Sequence, residues 1–284
     1  MIFYLHGIQS HGGWFEWSAS ALAATGRPVI LPDRRGSGLN SAARGDMPSY
    51  ARLLDDLDEL AGWAGREFGP LPLAVVGVSW GGKLAVAWAL RRPDHVVRVL
   101  LVAPGLFPAV DVGFLNRLRI GVSLLRQPVR DFPIPLDDPA LFTDDPDGQR
   151  FIAEDPLKLS TATARFFYES ARLDQHLTRA ARGSLAAETT LVLAERDRII
   201  RNRPTRAWLD RLTDGAAAVE TLAGAHTLEF ERDTRGLQGL LEAWAAGSSS
   251  KARTSATRDC ADGISPYNAL RRKRDARGTE QSAG

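Results

Sequence analysis

The sequence predicts an α/β fold, a mostly parallel and doubly wound sheet with helices on both faces. Short apolar runs rich in β-branched residues recur along the chain, as expected of strands that are covered on both sides. Segments with helical spacing of apolar residues lie between these runs, which implies right-handed βαβ connections. The chain has 284 residues, of which 44% are hydrophobic and 25% charged, an ordinary globular composition.

The predicted strands are continuous apolar stretches, most of them bounded by Gly, Pro or Asp. They cover Ile2–Leu5, Pro28–Leu31, Leu73–Val78, Val96–Val102, Thr190–Ala194 and Ala217–Leu222. The helices predicted between and after them cover Tyr50–Phe68, Gly81–Arg91, Thr205–Leu212 and Leu237–Ala246. Strands that alternate with helices in this way are typical of a single doubly wound sheet.

Residues 105–185 interrupt this alternation. No strand is predicted from about Gly105 to Gly183, and prolines separate short helical pieces, of which Asn116–Leu125 and Thr161–Leu177 are the most helix-like. An insertion of this length is more often a structured unit than a loop. We therefore predict a helical cap at 105–185 over a core formed by 1–104 and 186–247, in preference to an insertion without a role at the site. Its aromatic residues are interpreted as core in preference to an acyl pocket: Phe107, Phe114, Phe132, Phe142, Phe166, Phe167 and Tyr168.

Charge is spread unevenly along the chain. The formal net charge is +2, but residues 248–284 hold eight Lys or Arg against four acids, so the remainder is close to −2. This tail is predicted to be a disordered basic segment, and the rest of the chain has no basic bias that would favour nucleic acid. The single cysteine, Cys260, permits no intramolecular disulfide. Neither a membrane-spanning run nor a signal-peptide pattern is present, so we expect a cytoplasmic protein without stable membrane insertion.

A pentapeptide of the form G-x-S-x-G, from Gly77 to Gly81, carries the strongest indication of chemistry. It directly follows a predicted strand and precedes an apolar helical run, the setting in which a nucleophilic serine sits on a sharp turn above the sheet. The flanking glycines are needed because strand and helix pack too closely there for a Cβ. A phosphate-binding turn is the alternative, but the glycine spacing of the nucleotide fingerprints is missing. We therefore predict Ser79 as a nucleophile.

Two backbone N–H groups are predicted to hold the oxyanion that such a reaction produces. Trp80 begins the helix after the serine, where an N–H points freely from a helix N-terminus. The second donor is expected after an earlier strand, and Ile8 follows His6 and Gly7 at the end of the first one. We interpret His6 as a residue that ties this loop down, in preference to a catalytic base.

A serine nucleophile needs a histidine base and a carboxylate that orients it, in the chain order Ser, acid, His for this strand–turn–helix setting. His226 follows the last predicted strand in a loop of small residues, whereas His95 and His176 are expected at the surface or at a pocket rim. Asp197 follows the preceding strand and is the predicted acid. Glu195, two residues earlier, is its rival.

Together these motifs resemble the α/β-hydrolase superfamily, and within it serine hydrolases similar to lysophospholipases and monoacylglycerol lipases. The resemblance covers Ile2 to Ala246. The loop Pro32–Gly38 and the Ser79–Trp80 pair are also similar to proline iminopeptidases, but the sequence after Gly7 lacks the proline that this group has at its oxyanion loop. Two edge strands that usually come before the first strand are missing, so either the protein does without them or its true start lies upstream.

The resemblance implies an α/β-hydrolase fold with a cap inserted before the acid-bearing strand. It also implies hydrolysis of a carboxylic ester, such as a lysophospholipid, a monoacylglycerol or a similar small ester, through an acyl-enzyme on Ser79 and without a cofactor or metal. An aminopeptidase or amidase similar to proline iminopeptidases is the alternative enzyme, and carbon–carbon and thioester hydrolysis use the same triad. A non-catalytic ligand-binding protein of the same fold is the alternative outside enzymes.

Overall fold

Eight strands form a large parallel sheet and a small two-stranded sheet in the computed structural model, which describes residues 1–40 and 42–247. The large sheet has six strands in the order β2-β1-β3-β4-β7-β8, and every neighbouring pair is parallel. The small sheet pairs β5 with β6 in antiparallel register. In chain order the strands are β1 (Ile2–Leu5), β2 (Val29–Ile30), β3 (Leu73–Val78), β4 (Val96–Val102), β5 (Asp131–Pro133), β6 (Thr161–Thr163), β7 (Glu188–Ala194) and β8 (Ala218–Leu222).

Eight α-helices connect and cover these strands in the described part of the chain. Side chains close the first turn of two of them, since Ser49 accepts from the Arg52 N–H at 3.0 Å and Thr163 from the Phe166 N–H at 3.1 Å. The helices are α1 (Glu16–Ala23), α2 (Tyr50–Phe68), α3 (Trp80–Arg91), α4 (Phe114–Arg126), α5 (Pro146–Glu154), α6 (Ala164–Arg179), α7 (Asn202–Leu212) and α8 (Arg235–Ala246).

The core lies around the two central strands. Every residue of β3 is buried, and α3 packs directly on it through side chains that are themselves buried along most of the helix. Trp88 of α3 is fully buried, with its ring 5.2 Å from that of Phe3 in β1 in an edge-to-face contact. The predicted fold class, a mostly parallel α/β sheet covered by helices, is confirmed.

The two-stranded sheet of β5 and β6 shows that the prediction of no strand between residues 105 and 183 is wrong. Each of its strands has three residues, too short to leave a period in the sequence, and the partners are about thirty positions apart. The helix predicted from Thr161 accordingly begins only at α6, because Thr161–Thr163 pairs as a strand and Thr163 then caps the helix.

The segment 105–185 is held by two polar contacts against α3, the elbow helix that follows the sharp turn at Ser79. The indole Nε1 of Trp80 donates to Oγ of Ser170 at 2.9 Å, and Nζ of Lys83 lies 2.7 Å from Asp174. Both partners from the segment lie on α6. Burial raises the pKa of the Asp174 carboxyl even though Lys83 opposes this shift. The extent of the predicted cap, 105–185, stays a prediction.

Two of the aromatic side chains interpreted as core are exposed. Phe114 is 79% exposed and Tyr168 47%, because each lies on the outer face of its helix. Phe132, Phe142 and Phe166 are buried as expected. The predicted basic tail, with Cys260, lies outside the described residues. Within residues 1–40 and 42–247, no helix combines the length and the apolar character that crossing a bilayer requires.

Candidate active site

Ser79 occupies a strained turn between β3 and α3. Its backbone has φ +50° and ψ −124°, a conformation that residues with a Cβ rarely adopt. The turn is held by the N–H of Ser79, which donates to the carbonyl of Val102 in β4 at 3.0 Å. A strained, well-anchored serine at the carboxyl end of a buried parallel strand is the geometry that the pentapeptide predicts.

The glycines on either side of Ser79 are required by close backbone packing. A Cβ on Gly77 would lie 2.7 Å from the Cα of Gly82, and one on Gly81 would overlap the carbonyl oxygen of Leu5 in β1. Strand β3 and helix α3 therefore pack against their neighbours at distances that leave no room for a methyl group at Gly77 or Gly81. This contact fixes the height of Ser79 above the sheet.

His226 and Asp197 complete a continuous hydrogen-bonded chain with Ser79. Nε2 of His226 lies 2.9 Å from Oγ of Ser79, and Nδ1 of His226 lies 2.8 Å from Oδ2 of Asp197. The two side chains that face each other are buried, with 2% of His226 and 0% of Asp197 exposed. The three residues come from three loops, each following a different strand of the sheet.

Asp197 is oriented by its own backbone turn. Its Oδ1 accepts hydrogen bonds from the N–H groups of Ile199 at 2.8 Å and Ile200 at 2.9 Å, which leaves Oδ2 for His226. The rival Glu195 points outward, with 63% of its side chain exposed and Arg196 3.9 Å away. Of the two acids considered, the structure brings Asp197 to the serine–histidine pair.

The other histidines that were considered lie elsewhere. His95 is exposed, and His176 stacks on Tyr50 with 5.8 Å between the ring centres. His6 is buried in the loop after β1, where its Nδ1 lies 2.9 Å from the Gly7 carbonyl. Burial, with a further contribution from the Arg34 charge, holds the pKa of His6 well below its usual value, so the ring is neutral.

The two predicted oxyanion donors belong to segments that border Ser79. Trp80 is the first residue of α3, where helical N–H groups have no partner within the helix. Gly7, which precedes Ile8, runs so close to the serine that a Cβ on it would lie 3.4 Å from the Cβ of Ser79. Within the described residues, the N–H groups of Ile8 and Trp80 donate to no hydrogen bond outside regular secondary structure.

Three further residues surround this group: Phe142 and Phe166, interpreted above as core in preference to an acyl pocket, and Arg34, for which no role was predicted. The ring centres of Phe142 and His226 lie 6.3 Å apart in an edge-to-face contact, and those of Phe166 and Trp80 lie 5.2 Å apart. Arg34 stacks over Trp80, with its guanidinium carbon 5.1 Å from the ring centre. The sequence signal for these three is weak, because each reaches the site from a segment far away along the chain.

Comparison with known proteins places this arrangement in a class. The parallel sheet with its flanking helices is an α/β-hydrolase fold. The chain belongs to the Hydrolase_4 family, described as serine aminopeptidase, S33, whose model matches residues 1–233.

Individual relatives come from several organisms. A monoacylglycerol lipase of Mycolicibacterium smegmatis is 25% identical over 225 residues, 78% of each chain. An uncharacterized abhydrolase domain-containing protein of Dictyostelium discoideum is 33% identical over 109 residues, which are 38% of this chain and 11% of that one. The crystal structure of a Paleococcus ferrophilus monoacylglycerol lipase superposes with a TM-score of 0.75 at 20% identity, covering 87% of this chain and 94% of the other.

The shared fold extends over nearly the whole described chain, whereas the match to the Dictyostelium protein spans about a tenth of that protein's length. The predicted class, an α/β-hydrolase related to lipases and esterases that act on carboxylic esters, is confirmed by these comparisons.

Proposed function

We propose that the chain is a serine hydrolase that cleaves carboxylic esters through an acyl-enzyme on Ser79. The observation that carries this proposal is the hydrogen-bonded chain of Ser79, His226 and Asp197, at 2.9 Å and 2.8 Å. A neutral serine hydroxyl is a weak nucleophile, and a histidine that accepts its proton makes it reactive. A buried carboxylate beside the other ring nitrogen then stabilises the imidazolium that forms.

The proposed reaction has two halves. Oγ of Ser79 attacks the acyl carbon while Nε2 of His226 takes the hydroxyl proton, and His226 then protonates the leaving alcohol. Water next loses a proton to His226 and attacks the acyl-enzyme, which releases the acid and restores Ser79. In each half the N–H groups of Ile8 and Trp80 stabilise the negative oxygen, and one such donor contributes a factor of about 10²–10³ to turnover.

The outer face of α4 supports a substrate that resides in lipid. Phe114, Leu118, Val122 and Leu125 are all more than half exposed, and Leu125 reaches 88%. At 3.6 residues per turn they lie within an arc of about 80° around the helix. The opposite face is buried, since Ile120 packs on Ala164 and Phe132.

Arginines flank this exposed apolar arc. Arg117 lies on one side of it, where it pairs with Asp111, while Arg119 and Arg126 lie on the other. From residue 112 to 130 the sequence contains four arginines and no acid. An amphipathic helix with cations beside its apolar face is suited to the surface of an anionic bilayer. We therefore propose a monoacylglycerol, a lysophospholipid or a similar lipid ester as the substrate.

An aminopeptidase is a second candidate, because the matching family is described as serine aminopeptidase. Both reactions use the same nucleophile and differ in the leaving group. Comparing p-nitrophenyl alkanoates with aminoacyl p-nitroanilides separates them. We expect the esters to be cleaved at least about 10²-fold faster in kcat/KM, which corresponds to about 2.7 kcal/mol. A preference for the anilides would support the aminopeptidase.

Replacement of Ser79 tests the proposed nucleophile. Ser79→Ala is expected to lower kcat on p-nitrophenyl butyrate by about 10⁴-fold or more and to abolish labelling by a fluorophosphonate. Ser20→Ala is the matched control, since the Ser20 hydroxyl bonds only to the Glu16 carbonyl within its own helix. Wild-type turnover in Ser79→Ala would exclude the proposed mechanism.

A further inference from the structure

Arg34 lies in the loop after β2 and forms no ion pair within the described part of the chain. The neighbouring carboxylate of Asp33 is engaged elsewhere, accepting from the N–H groups of Gly12 at 2.6 Å and Leu39 at 2.7 Å. The guanidinium instead lies over two aromatic rings, with its carbon 5.1 Å from the centre of Trp80 and 5.7 Å from that of Phe166. Burying a charged guanidinium without a carboxylate partner costs free energy, so other contacts must stabilise it.

The hydrogen bonds of this guanidinium go to the loop that carries the proposed oxyanion donor. Its Nη1 donates to the carbonyl oxygen of Gly7 at 2.5 Å, and its Nη2 donates to the carbonyl oxygen of Ile8. The planar fork of arginine suits this pairing, because two donors leave it in fixed relative directions. One side chain thus binds two consecutive carbonyl groups.

His6 assists at the same carbonyl. The N–H of Arg34 donates to Nε2 of His6 at 3.1 Å, so a neutral His6 ring carries its proton on Nδ1. That nitrogen lies 2.9 Å from the carbonyl oxygen of Gly7 and donates to it. The Gly7 carbonyl therefore accepts from two donors, one of which is a cation.

This carbonyl belongs to the same peptide group as the N–H of Ile8. In a trans peptide the C=O and N–H bonds point in opposite directions within one plane, so fixing the oxygen also fixes the hydrogen. Glycine permits a wide range of backbone rotation, and the peptide after Gly7 would otherwise rotate easily. A Cβ added to Gly7 would be in van der Waals contact with Ser79, so this peptide lies next to the nucleophile and its orientation matters there.

We infer that Arg34 is a positioning residue for ester hydrolysis, which holds the Gly7–Ile8 peptide so that the N–H of Ile8 is presented to the oxyanion. The inference rests on the proposed function, in which Ile8 is one of the two donors. Arg34 acts through the backbone and does not contact the reacting atoms.

The charge on Arg34 adds to this effect. Burial lowers the pKa of Arg34 to about 9, so the side chain is still a cation at neutral pH. A carbonyl that accepts from a cation polarises its own peptide, and its N–H becomes a stronger donor. The same guanidinium is therefore expected to strengthen the Ile8 donor as well as to orient it.

Arg35 provides a matched control one position along the chain. Its guanidinium donates to both carboxylate oxygens of Asp56, Nε at 3.0 Å and Nη2 at 2.7 Å, on α2. It has no hydrogen bond to the loop after β1. A change at Arg35 therefore perturbs the same loop and removes the same charge, without touching the Gly7–Ile8 peptide.

The test compares Arg34→Met, Arg34→Lys and Arg35→Met with the wild type and Ser79→Ala. For each protein we measure steady-state kinetics on p-nitrophenyl butyrate and the affinity for an alkyl boronic acid. The boronic acid forms a tetrahedral adduct with a serine. We expect Arg34→Met to lower kcat by about 10²-fold with KM changed less than about threefold. Boronate affinity is expected to fall by a similar factor, and Arg34→Lys to lose about tenfold in kcat because it cannot bind both carbonyls. Arg35→Met should keep wild-type kcat.

The outcomes are distinguishable. If Arg34→Met unfolds at the wild-type temperature and keeps kcat within about twofold, the role of Arg34 is overturned while the serine mechanism stands. If Arg34→Met does not fold, Arg34→Lys decides, and wild-type kcat in that folded variant also overturns the inference. An equal loss in Arg35→Met would show a general loop effect and overturn it too. Activity that survives in Ser79→Ala would instead exclude the proposed function.

Discussion

The carboxylate of Asp197 lies 2.8 Å from Nδ1 of His226, and neither side chain is open to solvent. A histidine held in this way keeps its proton on Nδ1 and presents Nε2 as the acceptor for a serine proton. The energetic value of the contact depends on the negative charge of the acid, because a neutral amide cannot stabilise the imidazolium.

Asp197→Asn is therefore expected to lower kcat by about 10⁴-fold, since the amide leaves the geometry intact but supports the wrong ring tautomer. Glu195→Gln, two residues away and exposed, is expected to change kcat by less than about twofold. Both are measured as steady-state turnover of p-nitrophenyl butyrate. The reverse order of effects would make Glu195 the acid and contradict the proposed site.

Gly81→Ala tests the close packing of the elbow helix against β1. The added methyl group would overlap the Leu5 carbonyl, so α3 must move, and overpacking of this kind costs about 1–3 kcal/mol of unfolding free energy. Because Ser79 directly precedes this helix and moves with it, we also expect a loss of turnover of at least about tenfold.

Gly239→Ala in α8 is the control for that substitution. A Cβ there meets nothing within 4 Å, so the change is expected to stabilise the helix by about 0.5–1 kcal/mol. Urea unfolding measures both variants. Equal stability of Gly81→Ala and the wild type would mean that the helix can shift without cost, and the account of the elbow would then be wrong.

His6 is expected to make stability depend on pH. The pKa of His6 is depressed in the folded protein, whereas in the unfolded chain it is about 6.5. When the pH falls below about 6.5, the unfolded chain therefore binds a proton that the folded protein does not bind. The contribution of His6 is present above this pH and is lost below it, by about 1.4 kcal/mol per pH unit.

Urea unfolding between pH 7 and pH 5 measures this dependence. His6→Gln is expected to flatten the slope, whereas replacement of the exposed His95 by Gln should leave it unchanged. An unaltered slope in His6→Gln would mean that the buried ring is protonated in the folded state.

The exposed face of α4 is expected to bind anionic vesicles. Leu118→Glu combined with Leu125→Glu removes two side chains that are 60% and 88% exposed, and should weaken binding to phosphatidylglycerol-containing phosphatidylcholine vesicles by at least about tenfold, or about 1.4 kcal/mol. Co-sedimentation measures the binding, and turnover of a water-soluble ester should be unchanged.

A second pair of substitutions controls for added charge. Phe68→Glu combined with Leu71→Glu introduces the same two charges at side chains that are 49% and 41% exposed outside α4. This variant should bind vesicles as the wild type does. Equal binding by all three proteins would exclude α4 as the lipid-facing surface.

Much of the site depends on residues that are close together along the chain, and it could therefore be predicted from the sequence. The glycines around Ser79 lie two residues before and two residues after it, so the strained turn arises within one strand–turn–helix unit. The strands were likewise predicted because continuous apolar runs reflect burial on both faces. Helix α2 was predicted with its observed bounds, since its apolar stripe and its serine cap are both local.

What depends on distant contacts was decided only by the tertiary structure. The sequence alone determined a parallel α/β fold, the strained turn at Ser79 and the order of its candidate partners. It did not determine that β5 and β6 would pair across about thirty residues, or that Arg34 would bind the carbonyls of Gly7 and Ile8. Backbone carbonyls carry no sequence identity, so which of them a buried arginine binds is fixed only when the sheet brings the two loops together.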